Sequence, residues 1–191
     1  MKLPPVILAS ASPRRSQLLK EIKVEFTVVP ADAEEVQPGH LTPHEIAQVN
    51  AYRKARVVAK RYPDSLIIAA DTIVCLGSRI FGKPADGAEA RKMLAQLQAK
   101  THQVITGVCL VQLRAHRQKL FAVSTTVLFR SLTPAQIQEY LKLVHALDKA
   151  GAYAIQEHGE KIVEKINGSF SNVVGLPLER LREELRDWQS G

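Results

Sequence analysis

Cysteine is scarce in this chain, aromatic residues are few, and long apolar runs are missing. Cys75 and Cys109 are the two cysteines. Each sits in an apolar, strand-like segment far from the other, with no second ligand pair nearby, so both read as small buried hydrophobes. Five Phe, four Tyr and one Trp leave little with which to stack nucleic-acid bases. His40, His44, His102, His116, His145 and His158 show no ligand spacing, which argues against a histidine-based zinc site. Met1-Lys2-Leu3-Pro4-Pro5 carries no long apolar run, and no later segment is an uninterrupted apolar stretch of membrane-spanning length. No membrane partner and a cytoplasmic location are therefore expected. Internal repeats, low-complexity segments, the Gly-x-x-x-x-Gly-Lys-Ser/Thr loop, the Gly-x-Gly-x-x-Gly fingerprint and the Gly-x-Ser-x-Gly elbow are also missing.

What is present is an ordinary globular composition, 46% hydrophobic and 24% charged over 191 residues, enough for one substantial core. The net charge of +7 is dispersed. Arg53-Lys54-Ala-Arg56, Lys60-Arg61 and Arg180-Leu-Arg182 are spaced as on solvated helix faces, so no nucleic-acid partner is expected.

The most informative stretch is Val6-Ile-Leu-Ala-Ser-Ala-Ser-Pro-Arg-Arg-Ser-Gln-Leu-Leu19, an apolar strand running through small residues into a helix. Ser12 suits the N-cap and Pro13 the first helical position. A helix start presents unpaired N–H groups and the positive end of a dipole, and Arg14 and Arg15 add planar paired donors that match phosphate. With the hydroxyls of Ser10 and Ser12, the segment predicts a triphosphate site; an ordinary capped surface helix is the alternative.

Further on, Glu25 to Val29 reads as a strand, and Thr42-Pro43-His44-Glu45 as a capping box opening a helix to about Tyr62. Leu66 to Leu76 is an apolar, β-branched run, predicted as a central strand. Asp71 lies in its middle, where burying an ionised carboxylate costs several kcal/mol unless a cation compensates. A turn-capping or structurally paired aspartate is the alternative. Gly82-Lys83-Pro84 aims a lysine from a stiff loop, and Asp86 with Glu89 reads as a second capping box for a helix to about Gln98. Thr101 to Leu113 and Leu120 to Phe129 read as an antiparallel hairpin, with Thr106-Gly107 marking a bulge or a close ligand contact. Thr133-Pro-Ala-Gln136 opens a helix to about Val144. In Asp148-Lys-Ala-Gly-Ala-Tyr-Ala-Ile-Gln156 the tail reads as an alternating strand, and Gln156 could read a base edge or bond to backbone. Ile162 to Ile166 reads as a short strand, Asn167-Gly168 as a turn, Ser169-Phe-Ser-Asn172 as a helix start, and Pro177 as the opening of a last helix to Trp188.

Together Leu8-Ala-Ser-x-Ser-Pro-Arg-Arg15, Lys54-Ala55, Ala70-Asp-Thr-Ile-Val74, Gly82-Lys-Pro84, Thr106-Gly-Val108, Asp148-Lys-Ala-Gly-Ala-Tyr153 and Asn172-Val-Val-Gly-Leu-Pro177 resemble, in order and over nearly the whole chain, the Maf family of nucleoside triphosphate pyrophosphatases. The resemblance implies an α/β fold of the two-lobed, inosine triphosphate pyrophosphatase-like kind, with a central mixed sheet flanked by helices, an active-site cleft, and residues 1–191 as one domain. It implies hydrolysis of the α–β phosphoanhydride of a small-molecule nucleoside triphosphate. The Asp148 to Gln156 form resembles the branch acting on dTTP and UTP rather than the methylated-GTP branch. Position by position, Arg14, Thr72 and Gln156 match places tied to substrate choice, and Asp71 matches the proton acceptor. Ser10, Ser12, Arg15, Lys54 and Lys83 would bind the phosphates, and Asp71 with Glu35 would hold Mg²⁺ or Mn²⁺; direct metal ligand and free base are competing roles for Asp71, and the sequence leaves both open. A nucleotide-binding regulator of septum formation is the rival reading, and a homodimer is left open. Two departures stand out: Ser124 occupies the place of an acid in many relatives, and His145-Ala146 that of a common Glu-Pro pair.

Overall fold

The computed structural model describes residues 3–190. In chain order the elements are β1 (Val6–Leu8), α1 (Pro13–Glu21), β2 (Phe26–Val28), α2 (Pro43–Arg61), β3 (Leu66–Leu76), β4 (Arg79–Phe81), α3 (Gly87–Leu97), β5 (Thr101–Gln112), β6 (Arg117–Phe129), α4 (Pro134–Leu143), β7 (Val163–Asn167), α5 (Phe170–Val174) and α6 (Leu178–Ser190). Helices and strands interleave as an α/β protein requires. Among the described residues the strands form one mixed, seven-stranded sheet in the order β2-β1-β3-β5-β6-β7, with β4 on β3. The chain divides into two compact units. One runs up to Asp71 and takes in Thr106–Val123 and the chain from Gly175 onward; the other comprises Thr72–Ile105 and Ser124–Val174.

In the first unit β1 lies between β2 and β3, parallel to both, with Val6 opposite Phe26 and Leu66. Helix α2 starts with the capping box read from the sequence: the Thr42 hydroxyl accepts from the Glu45 N–H, and the Glu45 carboxylate accepts from the Thr42 N–H at 2.7 Å. Its buried stripe is built of small residues. Ala51, Ala55 and Ala59, with Val58, pack among Ile7, Ala9, Ile67, Ala69, Cys109 and Val111, so the helix axis approaches the strands closely. Gly107 is part of the same fit, because a Cβ there would overlap the carbonyl carbon and oxygen of Ala47. The close approach at Gly107 is thus to helix backbone, where the sequence suggested a bulge or a ligand. Helix α6 is fixed by its polar side chains. The Arg117 guanidinium stacks 4.5 Å from the Trp188 ring centroid and donates to its carbonyl, while buried Glu184 accepts from Arg180 at 2.6 Å and pairs with Lys119 at 3.2 Å.

The second unit has its own core, in which Phe81, Leu94, Leu97, Phe129, Tyr140 and Tyr153 are buried. Strand β4 pairs antiparallel with the end of β3, and β7 antiparallel with the end of β6. His102 sits in this core, edge-on to Phe129 and Tyr153, with Nε2 at 2.9 Å from the Tyr153 hydroxyl. Burial pushes its imidazole down to about 4, with a smaller upward pull from the backbone at Lys100.

Some local expectations are corrected. Tyr153 to Gln156 is not a strand: the chain makes short 3₁₀ turns at Ala146–Asp148 and Ala150–Ala152 and then runs irregularly. The cause is backbone geometry and a rival partner. Gly151 and Ala152 both have positive φ, and the Tyr140 hydroxyl accepts from the Ala154 N–H and donates to the Ala154 carbonyl, taking the place of a neighbouring strand. Ser12 occupies the N-cap position of α1 but its side chain makes no cap bond. Asp86 caps α3 through the Glu89 N–H, while the Glu89 carboxylate reaches the Ala85 N–H and not that of Asp86, so the box is only half formed. Strand β6 begins at Arg117, ahead of the expected Leu120, because the turn after β5 is shorter than its polar composition implies.

Gly107→Ala is expected to lower stability by about 1–3 kcal/mol, since α2 must shift to admit the methyl; an unchanged urea midpoint would contradict the close approach. For His102 the unfolded chain binds the extra proton between about pH 4 and 6.5, so stability present above pH 6.5 falls as the pH drops toward 4. The loss is on the order of 3 kcal/mol at most. Urea denaturation of His102→Gln should show a flatter pH dependence in that window; the wild-type slope would count against it.

Candidate active site

Asp71 is 5% exposed within β3, between Ala70 and Thr72 in an otherwise apolar strand. A carboxylate there needs a cation and hydrogen-bond donors, and α2 supplies both. Lys54 Nζ lies 2.6 Å from Asp71 Oδ1 and 2.6 Å from Glu35 Oε1, so one ammonium joins the two acids. Exposure is graded across the trio: the side chains of Asp71, Lys54 and Glu35 are 7%, 14% and 50% exposed. Asn50, one helical turn before Lys54, donates from Nδ2 to Asp71 Oδ2 at 3.3 Å. The spacing that makes α2 amphipathic thus puts Asn50 and Lys54 on the same buried face as its alanines.

Beside β3, strand β1 ends in the small-residue loop. The Ala9 N–H donates to the Ile68 carbonyl at 2.8 Å, which holds the loop entrance against β3. Ser10 is buried, and its hydroxyl accepts from the Ser12 N–H at 3.2 Å and from Arg15 Nη1 at 3.3 Å. Arg15 also donates from Nε to the Gly175 carbonyl at 2.8 Å. Burial lowers the pKa of its guanidinium; Asp71 opposes this, Arg14 adds to it, and Glu35 opposes it again. Arg14, one residue earlier on the first turn of α1, and Ser12 are partly exposed. The first unit therefore assembles Ser10, Ser12, Arg14 and Arg15 on one loop-to-helix segment, and Glu35, Lys54 and Asp71 in one ion-paired group.

Thr72, Lys83 and Gln156 belong to the second unit. Lys83 is exposed in its loop, and the preceding Gly82 carbonyl accepts from the Gly151 N–H at 3.0 Å, which ties that loop to the Asp148 to Tyr153 motif. Gly151 has φ +71°, and a Cβ there would press on the Val74 side chain at 3.0 Å, so the motif requires glycine at this position. Gln156 is exposed in a turn, and Ser124 is exposed on β6.

Of two further polar side chains in these arrangements, Asn50 is not singled out by the sequence, and Lys149 stands in the Asp148 to Tyr153 motif without a role of its own. Asn50 was hidden in the apolar stripe of α2, where a lone carboxamide four residues before a lysine could have flagged it. Lys149 is 5% exposed, with Nζ 2.5 Å from the His145 carbonyl, 2.9 Å from Asp148 Oδ1 and 3.4 Å from Glu157 Oε1. It braces the turn that precedes Gln156. Among the described residues no three His, Cys, Asp or Glu side chains form a metal-binding group, and no helix is long and apolar enough to cross a membrane.

The model of the Maf-like protein family matches residues 5–188. A dTTP/UTP pyrophosphatase of Akkermansia muciniphila is 45% identical, with 92% of each chain covered. Proteins of the same name from Halalkalibacterium halodurans and Gloeobacter violaceus are each 46% identical, covering 95% and 96% of this chain and 95% of the relative in both cases. Among solved structures, a HAM1 protein from Coxiella burnetii aligns with a TM-score of 0.54 at 15% identity over 97% of this chain and 100% of that one, which shows a shared fold. With an α/β fold of this kind and nearly its full length matched, the chain belongs to the Maf family.

Proposed function

We propose that this chain acts as a single-domain enzyme of the cytoplasm that hydrolyses dTTP and UTP to the monophosphate and pyrophosphate. The observation that carries the reading is Asp71, a carboxylate buried in mid-strand and joined through Lys54 to Glu35. Burial of that kind is unusual in a purely structural aspartate and common where proton transfer is needed. The names of the relatives support the substrate pair, and the Ser10 to Arg15 segment supports a polyphosphate ligand.

In this proposal the backbone amides at the start of α1, the hydroxyls of Ser10 and Ser12, and Arg14 bind phosphate oxygens, with Arg15 holding Ser10 in place. Lys54 neutralises charge as it develops on the phosphates. A water oxygen bonds to the α-phosphorus, the bond to the α–β bridging oxygen breaks, and pyrophosphate leaves. Asp71 takes the proton from that water. Thr72, Lys83 and Gln156 are assigned to substrate binding and choice on the likeness of their motifs alone. Asp71 and Glu35 offer hard oxygen donors to one shared positive charge, which suits Mg²⁺ or Mn²⁺, ions that take one or two protein carboxylates and complete their shell with water and phosphate. Such an ion would supply further charge neutralisation on the phosphate oxygens.

Pyrophosphate release from a panel of nucleoside triphosphates with Mg²⁺ or Mn²⁺ should be fastest with dTTP and UTP; release from none, or preference for methylated GTP, would overturn the assignment. Asp71→Asn should lower kcat by about 10²–10⁴-fold, the worth of general-base assistance, while calorimetry shows nucleotide binding nearly unchanged. Near-normal turnover in that variant would remove Asp71 from the mechanism. Lys54→Met should cost on the order of 10²-fold or more in kcat, and a steady-state assay that finds wild-type rates would place its charge outside the reaction.

A further inference from the structure

We infer that Asn50 is a positioning residue for this reaction, its one carboxamide fixing both the backbone next to Glu35 and the carboxylate of Asp71. The inference rests on the roles proposed above for those two acids.

Asn50 is 4% exposed. Its Oδ1 accepts from the Val36 N–H at 2.8 Å, and its Nδ2 donates to the Val36 carbonyl at 3.1 Å and to Asp71 Oδ2 at 3.3 Å. A primary amide has two N–H donors and one carbonyl acceptor, and each is engaged. The orientation is also forced, because exchanging oxygen and nitrogen would set the amide oxygen against a carboxylate and a carbonyl, both acceptors. No other common side chain of this size meets the requirement. Aspartate lacks the two donors and would face Asp71 with like charge, and leucine has the volume without the bonds.

The segment held in this way needs holding. Residues 29–38, which carry Glu35, form neither helix nor strand. Helix α2 clasps them at three successive residues: Arg53 Nε donates to the Glu34 carbonyl at 3.2 Å, Lys54 binds the Glu35 carboxylate, and Asn50 pairs with Val36 on both sides of its backbone. Asn50 grips both that segment and Asp71 with a neutral side chain that is itself buried. It therefore sets the spacing of the two acids independently of whether Lys54 or a metal ion lies between them.

The test uses Asn50→Leu and the isosteric Asn50→Asp in the full chain, with dTTP, UTP and Mg²⁺. The expected loss is about 10–100-fold in kcat/KM, falling on kcat more than on KM, as when a residue orienting a ligand-holding group is removed. Amide exchange at Val36 in the nucleotide-free protein should speed up in Asn50→Leu, which removes the acceptor of the Val36 N–H. Combining Asn50→Leu with Glu35→Gln should give a loss well short of the product of the separate losses, because part of the effect of Asn50 runs through the Glu35 carboxylate. Losses that multiply, kcat retained while only the melting temperature falls, or Val36 exchange in Asn50→Leu equal to wild type would each overturn the inference. If Asn50→Leu does not fold, Asn50→Asp decides on the split between kcat and KM and on its combination with Glu35→Gln. Lack of turnover in the wild type would sink the enzymatic reading instead, and rapid Val36 exchange in that wild type would sink the clasp.

Discussion

A carboxylate in the middle of a buried strand is stable as an anion only if a positive charge and hydrogen-bond donors reach it through the packing. In this protein they arrive along one helix. Lys54 brings the ammonium and Asn50, a turn earlier, brings the carboxamide, so one oxygen of Asp71 is bound to charge and the other to a neutral donor. The remaining features of the first unit follow from placing that helix close enough. The alanines along its buried face remove the bulk that would hold it away, and Gly107 lets β5 pass against the Ala47 carbonyl. If either contact opened, Lys54 would lose its reach and the aspartate would have to be neutral or rehydrated.

The same ammonium extends the site outward. Glu35 is half-exposed, so Lys54 connects a dry carboxylate to a wet one. Charges in such a gradient are screened unequally: removing one partner of the inner pair costs far more than breaking a surface ion pair, and the outer pair is worth little. Arg15 carries a further positive charge that feels both acids, although its hydrogen bonds go elsewhere. The fold therefore concentrates alternating charge around the loop after β1 with few formal contacts.

Much of this was legible in the residues themselves. The eleven residues of β3 were bounded correctly because β-branched apolar runs have few alternatives, and Asp71 stood out because it violates that run. Capping boxes located the starts of α2 and α4 to the residue, since the chemistry that satisfies orphan N–H groups is local. What escaped was set by non-local geometry. Ala152 at positive φ and the Tyr140 hydroxyl on Ala154 turned an alternating pattern into an irregular segment, and neither is visible in the alternation. Asn50 escaped for a related reason: a buried polar residue is identified by what it touches, and its partners Val36 and Asp71 lie on other segments. The likeness of ordered motifs to a family supplied the activity that composition and periodicity alone left undecided between a nucleotide site and a plain capped helix.

The bond from Arg15 to the Gly175 carbonyl joins residues 160 positions apart. A ribosome adding about 5–20 residues per second needs on the order of 10–30 s to traverse that interval. Through that time the guanidinium has been made but its acceptor has not. An early loop is thus completed by a late residue, and the segment after β1 acquires this brace only when α6 is about to emerge. A nascent chain stalled before that point would carry every other group of the loop yet lack the strut that sets Arg15 against Ser10, so translation itself delays the maturation of this part of the molecule.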